Sequence, residues 1–115
     1  MLSFTQINLH KATQATMVLG AGLGGCKQKV VLMTEPYTYD GKIAGIPRGT
    51  KLIHARNLTG GQAPRAGIVA SLDVNMTAMD TWCNRDCAVA LARVGGKPTV
   101  VVSMYMDINL SLIHI

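Results

Sequence analysis

The feature that most constrains this chain is a short apolar run that ends in a carboxylate. Val30-Val31-Leu32-Met33 reads as a buried strand, and Thr34-Glu35-Pro36 follows at once. Glu35 is the only glutamate in the sequence. Pro36 predicts an extended backbone at Glu35 and ends any ladder of hydrogen bonds there. A carboxylate at the end of a rigid strand stands where open α/β folds place their ligand sites. Phe4 to Leu9 reads as an earlier strand carrying Asn8 near its end, and Val100 to Tyr105 as a late strand ending in a phenol. Three strands that each end in one polar group predict a single shared site.

The chain between these strands supports a mixed architecture. Lys11 to Leu19 has helical spacing, with Ala12, Ala15 and Leu19 on one face and Leu23 extending it. The glycines at 20, 22, 24 and 25 end that pattern. From Pro36 to Thr50 the sequence is loop-like, with Asp40-Gly41 and Pro47-Arg48-Gly49 as turn signals. Lys51–His54, Gly67–Ser71, Ala88–Ala92 and Thr99–Met104 read as further strands, the last two joined as a hairpin through Gly95-Gly96-Lys97-Pro98. One helix between two early strands, then mostly strands, predicts an α/β or α+β fold with a mixed sheet.

Composition limits the alternatives. With 115 residues and 49% hydrophobic content the chain is one domain or part of one. A chain of that size buries roughly two-thirds of its unfolded surface. No apolar run approaches the length of a membrane span, and Met1 to Leu9 has no signal-peptide character. An intracellular location is expected, nucleus and cytoplasm not being distinguishable. The 11 Lys+Arg against 6 Asp+Glu give a net charge of +5, which permits a nucleic-acid partner without requiring one. Lys42, Arg48, Lys51 and Arg56 are close enough in sequence to form a basic rim. Aromatic residues are too sparse for a base-stacking platform. Cys26, Cys83 and Cys87 are odd in number, and His10, His54 and His114 complete no zinc-ligand spacing, so structural thiols are expected.

Gly20-Ala21-Gly22-Leu23-Gly24-Gly25 matches the dinucleotide fingerprint, with Asp40 at about the distance of a ribose contact. The spacing opposes that function. Only Cys26 to Lys29 separate the motif from the next strand, whereas a parallel crossover needs about a dozen residues. No dinucleotide is expected to bind.

Several segments taken in order carry a family likeness. They are Gln6-Ile7-Asn8-Leu9-His10-Lys11-Ala12, Thr34-Glu35-Pro36-Tyr37, Gly41-Lys42-Ile43-Ala44-Gly45, Asn84-Arg85-Asp86 and Ser103-Met104-Tyr105-Met106-Asp107. The chain resembles the N-terminal half of the endonuclease/exonuclease/phosphatase superfamily. Within it, the likeness is greatest to the apurinic-type endonuclease that opens the polyprotein of non-LTR retrotransposons. The resemblance implies two packed β-sheets flanked by helices, present here incompletely. It implies phosphodiester hydrolysis with magnesium or manganese, and DNA as the partner of the full-length family. By the same resemblance Asn8 helps hold metal and phosphate, Glu35 binds the metal, and Tyr105 contacts the region of the scissile phosphate. Asn8 and Tyr105 are thus the candidate catalytic residues, and Glu35 with Asn8 the candidate metal ligands.

The chain departs from the family in lacking its later Asp-x-Asn and Ser-Asp-His motifs. A truncated, DNA-nicking type of endonuclease that is inactive alone is therefore expected, with a domain over 1–109. Residues 110–115 read as a non-native tail. The competing expectation is a non-catalytic domain that binds nucleic acid or protein.

Overall fold

A computed structural model describes residues 2–12, 28–46, 49–56 and 58–106. Within them, nine strands build two sheets and a small hairpin. β1 (Ser3–Asn8), β2 (Lys29–Thr34), β5 (Thr50–Ile53) and β6 (Ala66–Ser71) form a four-stranded sheet in the order β1-β2-β6-β5. β7 (Met76–Ala78), β8 (Cys87–Val94) and β9 (Lys97–Met104) form an antiparallel meander, with a 3-10 turn at Asp80–Trp82 between β7 and β8. β3 (Thr38–Tyr39) and β4 (Lys42–Ile43) pair only with each other.

The larger sheet is mixed, as the sequence predicts. β1 and β2 run parallel, with Ser3 opposite Lys29 and Asn8 opposite Thr34. Both other pairings are antiparallel. A parallel pair needs a connection of about a dozen residues or more, and residues 9–28 supply it. Residues 13–27, which hold most of the predicted helix and the whole glycine-rich motif, lie outside the described residues. Lys11 has φ +58°, so a helix does not begin there.

The two sheets pack face to face. β2 and β6 alternate strictly, so Val30, Ile68 and Ala70 point to one side and Val31, Met33 and Val69 to the other. The first set joins Ile53, Val74, Met76, Ala88, Ala90, Ala92 and Val101 in the core between the sheets. The second packs with Leu9 and Ile43 on the outer side of the larger sheet. All six residues of β6 are buried, which explains the unbroken small-and-apolar run of its sequence. The alanines of β8 let the meander approach closely, and Ser103 Oγ donates to the Met33 carbonyl at 2.9 Å from strand to strand across the interface.

Some expectations need correction. Pro36 does not hold Glu35 extended, since Glu35 has φ +48°. β2 stops at Thr34 and the chain turns sharply there, so that Pro36 can bury itself almost completely. The stretch 36–50 is not all loop. Asp40 and Gly41 (φ +54° and +75°) close a two-residue turn of the kind that joins antiparallel strands. The strand at Met76–Ala78 is too short to show a period in the sequence. The basic rim is not formed as a unit. The Lys51 ammonium donates to the Val74 carbonyl at the far end of the sheet, and Arg48 lies outside the described residues. The exposed apolar side chains of the meander, Leu91, Val100, Val102 and Met104, are on its outer face.

The Ser103 bond gives the first prediction. Ser103→Ala leaves a buried carbonyl short of a donor, which costs on the order of 1–3 kcal/mol. Urea unfolding followed by circular dichroism is expected to show a lower midpoint at unchanged slope.

Candidate active site at one end of the sandwich

The sheet register carries the candidate residues to one end. Asn8 and Thr34 are parallel partners, so Asn8 and Glu35 emerge side by side. β6 runs the other way, with Ala66 opposite Thr34, and this places Arg65 next in line. The end of β5 follows, since Ile53 pairs with Ile68. On the smaller sheet Cys87 pairs with Met104, so Asp86 and Tyr105 leave their strands together.

Backbone hydrogen bonds lock these exits to one another. Leu9 N–H donates to the Thr34 carbonyl and Lys11 N–H to the Glu35 carbonyl. Glu35 N–H donates to the Arg65 carbonyl at 2.9 Å. Arg65 N–H donates to the Arg85 carbonyl, and Tyr105 N–H to the Asp86 carbonyl. A continuous chain of contacts thus runs from Asn8 through Glu35 and Arg65 to Asp86 and Tyr105. His10, Lys11 and Glu35 all have positive φ. Each such residue costs about 1–3 kcal/mol and persists only where its surroundings hold it.

The side chains continue the pattern. Asn8 Oδ1 accepts from His10 N–H at 2.8 Å, which orients the amide and leaves its second lone pair for another partner. His10 Nδ1 lies 3.5 Å from Glu35 Oε2. The Glu35 side chain is 24% exposed and His10 79%, so the carboxylate is held while the ring is open to solvent. Arg65 Nε donates to Asp86 Oδ1 at 2.5 Å, and the guanidinium lies 4.6 Å from the centre of the Tyr105 ring. One planar cation therefore fixes a carboxylate and a phenol ring together.

Asn8 and Glu35 are adjacent, and Tyr105 joins them through Arg65. Sequence reasoning missed Arg65. The available signal was its position, a charged residue at the mouth of the apolar run 66–71, the mirror image of Glu35 after 30–33. Among the described residues, no group of three or more His, Cys, Asp or Glu side chains is arranged to hold a metal ion. Cys83 and Cys87 are free thiols. Cys83 Sγ accepts from Val89 N–H at 3.3 Å. Burial first, then the charges of Cys83 and Asp86, push the Cys87 thiol up.

No family model matches the sequence, and no curated protein matches it. The fold is similar to a solved structure, the endonuclease domain of TRAS1, a telomere-specific non-LTR retrotransposon, with a TM-score of 0.62 and 19% sequence identity. The match covers 89% of this chain and 43% of that one, so the chain spans less than half of that domain. The described residues are mostly strands in several sheets, an arrangement consistent with part of that α/β fold. No helix among the described residues is long and apolar enough to cross a membrane.

Two outcomes follow from the geometry. Arg65→Ala and Asp86→Ala, combined in a double-mutant cycle, are expected to show a coupling of up to about 1 kcal/mol, the range for a partly exposed pair. For Cys87, the raised pKa means less thiolate at a given pH. Site-resolved alkylation followed by mass spectrometry is expected to reach half its maximal rate at a higher pH than for a free cysteine.

Proposed function

We propose that this chain carries the metal- and phosphate-binding portion of a phosphodiester hydrolase of the retrotransposon-endonuclease type. The observation that carries the reading is the side-by-side exit of Asn8 and Glu35 from a parallel strand pair. Asn8, Glu35 and Tyr105 are the residues the family likeness assigns to the chemistry. DNA is the substrate that likeness implies.

The donor set suits a hard divalent cation. Glu35 offers carboxylate oxygens and Asn8 an amide oxygen, and magnesium binds few protein oxygens while keeping several waters. Partial exposure of Glu35 leaves room for those waters. Magnesium or manganese at these residues would polarise a phosphoryl oxygen. Tyr105 supplies a hydroxyl that can donate to a phosphate oxygen without adding negative charge at neutral pH. Arg65 acts on that phenol as a positioning residue, through the ring face and through Asp86.

One carboxylate and one amide do not by themselves align a nucleophile with a leaving group. Positioning and general acid–base groups each contribute orders of magnitude to such reactions. The chain alone is therefore expected to bind magnesium weakly and to leave DNA nearly uncut.

Magnesium titration followed by nuclear magnetic resonance is expected to shift the Asn8 side-chain amide and the Glu35 backbone signal. Glu35→Ala should abolish both responses. Unchanged magnesium responses in Glu35→Ala would overturn the metal assignment. In a supercoiled-plasmid assay with magnesium, near-background nicking is expected. Robust nicking that Glu35→Ala abolishes would show a complete enzyme and refute the partial-site reading.

A further inference from the structure

A second site lies beside the first. The Asp40–Gly41 turn, the exit of β5 and the loop through Gly61 and Gln62 border an open cleft of about 890 Å³. Asp40, Lys42, His54, Arg56 and Gln62 are among the residues that line it. An ideal Cβ on Gly41 would lie 3.6 Å from the Gln62 carbonyl oxygen, so the two walls nearly touch at that glycine. Gly61 has open space where its Cβ would stand.

The chemistry of the lining favours an anion. Lys42 and Arg56 are permanent cations against the single carboxylate of Asp40. Among the described residues neither cation is held in an ion pair. His54 Nδ1 lies 2.7 Å from the Ala55 carbonyl oxygen, an acceptor, so that nitrogen carries the ring proton of the neutral form and donates it. Nε2 is then the polar atom of the ring that remains. A guanidinium and an ammonium around an open concave wall are the groups that bind phosphate oxygens.

Its place in the sheet says which phosphate. The strand order at this end is β1-β2-β6-β5, so Glu35 and His54 stand two strands apart. Neighbouring strands are spaced about 4.8 Å, which separates the sites by roughly 10 Å. A single phosphate group cannot bridge that distance, whereas two phosphates of one strand with a further phosphate between them can occupy both.

We infer that the Lys42–His54–Arg56 cavity binds a backbone phosphate of a nucleic-acid strand that places another of its phosphates at Glu35. The inference rests on the phosphodiester reading and adds the subsite that holds the substrate strand. Phosphate contacts fix the register of a strand without reading its bases, so the subsite should position rather than select sequence.

The test uses the whole chain without metal, so that it is independent of Glu35 chemistry. Binding of a short fluorescein-labelled single-stranded DNA is measured by anisotropy in EDTA across a salt series. Lys42→Gln combined with Arg56→Gln should weaken binding roughly tenfold or more at low salt and flatten the salt dependence by about one phosphate contact. Asp40→Asn should tighten binding. Wild-type affinity and salt slope in the double variant would overturn the inference. A titration with inorganic phosphate, read on the His54 ring and the Gly61 and Gln62 amides, separates the ligand sources. Shifts at these residues much weaker than those the DNA produces are expected. Equal or tighter affinity for inorganic phosphate would show a small-anion site and refute the nucleic-acid assignment. Failure of the Glu35 magnesium response alone would leave these DNA measurements standing, so the two readings fall separately.

Discussion

The parallel pairing of β1 with β2 is the constraint on which the rest depends. It sends both strands out at the same end, with Asn8 level with Thr34. An antiparallel pair would have put Asn8 and Glu35 at opposite ends. Register matters as much as direction. A slip of one residue in β2 would turn Val30 out of the inter-sheet core and bring Val31 into it, reversing both faces. Burial on both sides of β2 is what forbids that slip. The geometry of the site is thus a consequence of which side chains the core can accept.

The second sheet is tied to this pair at the functional end. Ser103 reaches the Met33 carbonyl, and Arg65 N–H reaches the Arg85 carbonyl. Arg65 then does with its side chain what its backbone does for Glu35. It spans from the larger sheet to Asp86 and Tyr105 on the smaller one. The left-handed Glu35 fits the same logic. A strained residue before proline is retained because its N–H and carbonyl are both used, by Arg65 and Lys11, while Pro36 is buried. The opposite end of the sandwich is closed differently. Asp73 accepts from Gln28 N–H and from Ser71 Oγ, and Ser71 Oγ accepts from Lys29 N–H. These polar groups serve one another and the backbone.

A fold shared at 19% identity says how the strands are arranged and leaves the chemistry to the site. Here the site offers one carboxylate, one oriented amide, one phenol held by an arginine and an adjoining cationic cavity. Each is suited to phosphate or to a hard cation, and none is a thiol or an aromatic platform. The hydrolase proposal rests on these donor types.

Sequence alone determined the buried strands and the residues at their ends. Val30–Met33, Gly67–Ser71 and the β8–β9 hairpin were legible because burial on both faces writes a continuous apolar run, and because Gly95-Gly96 permits a tight turn. Glu35 was legible as the polar group that such a run delivers. Tertiary structure decided the rest. It set the left-handed turn at Glu35, since a backbone angle held by distant hydrogen bonds leaves no local trace. It paired Arg65 with Asp86 and Tyr105, residues far apart in the chain that meet only because two sheets stack. It parted Lys51 from Lys42 and Arg56, neighbours by number that β5 carries to opposite ends of the sheet. Proximity along a strand is separation in space, and only the strand pairing reveals which charges share a cavity.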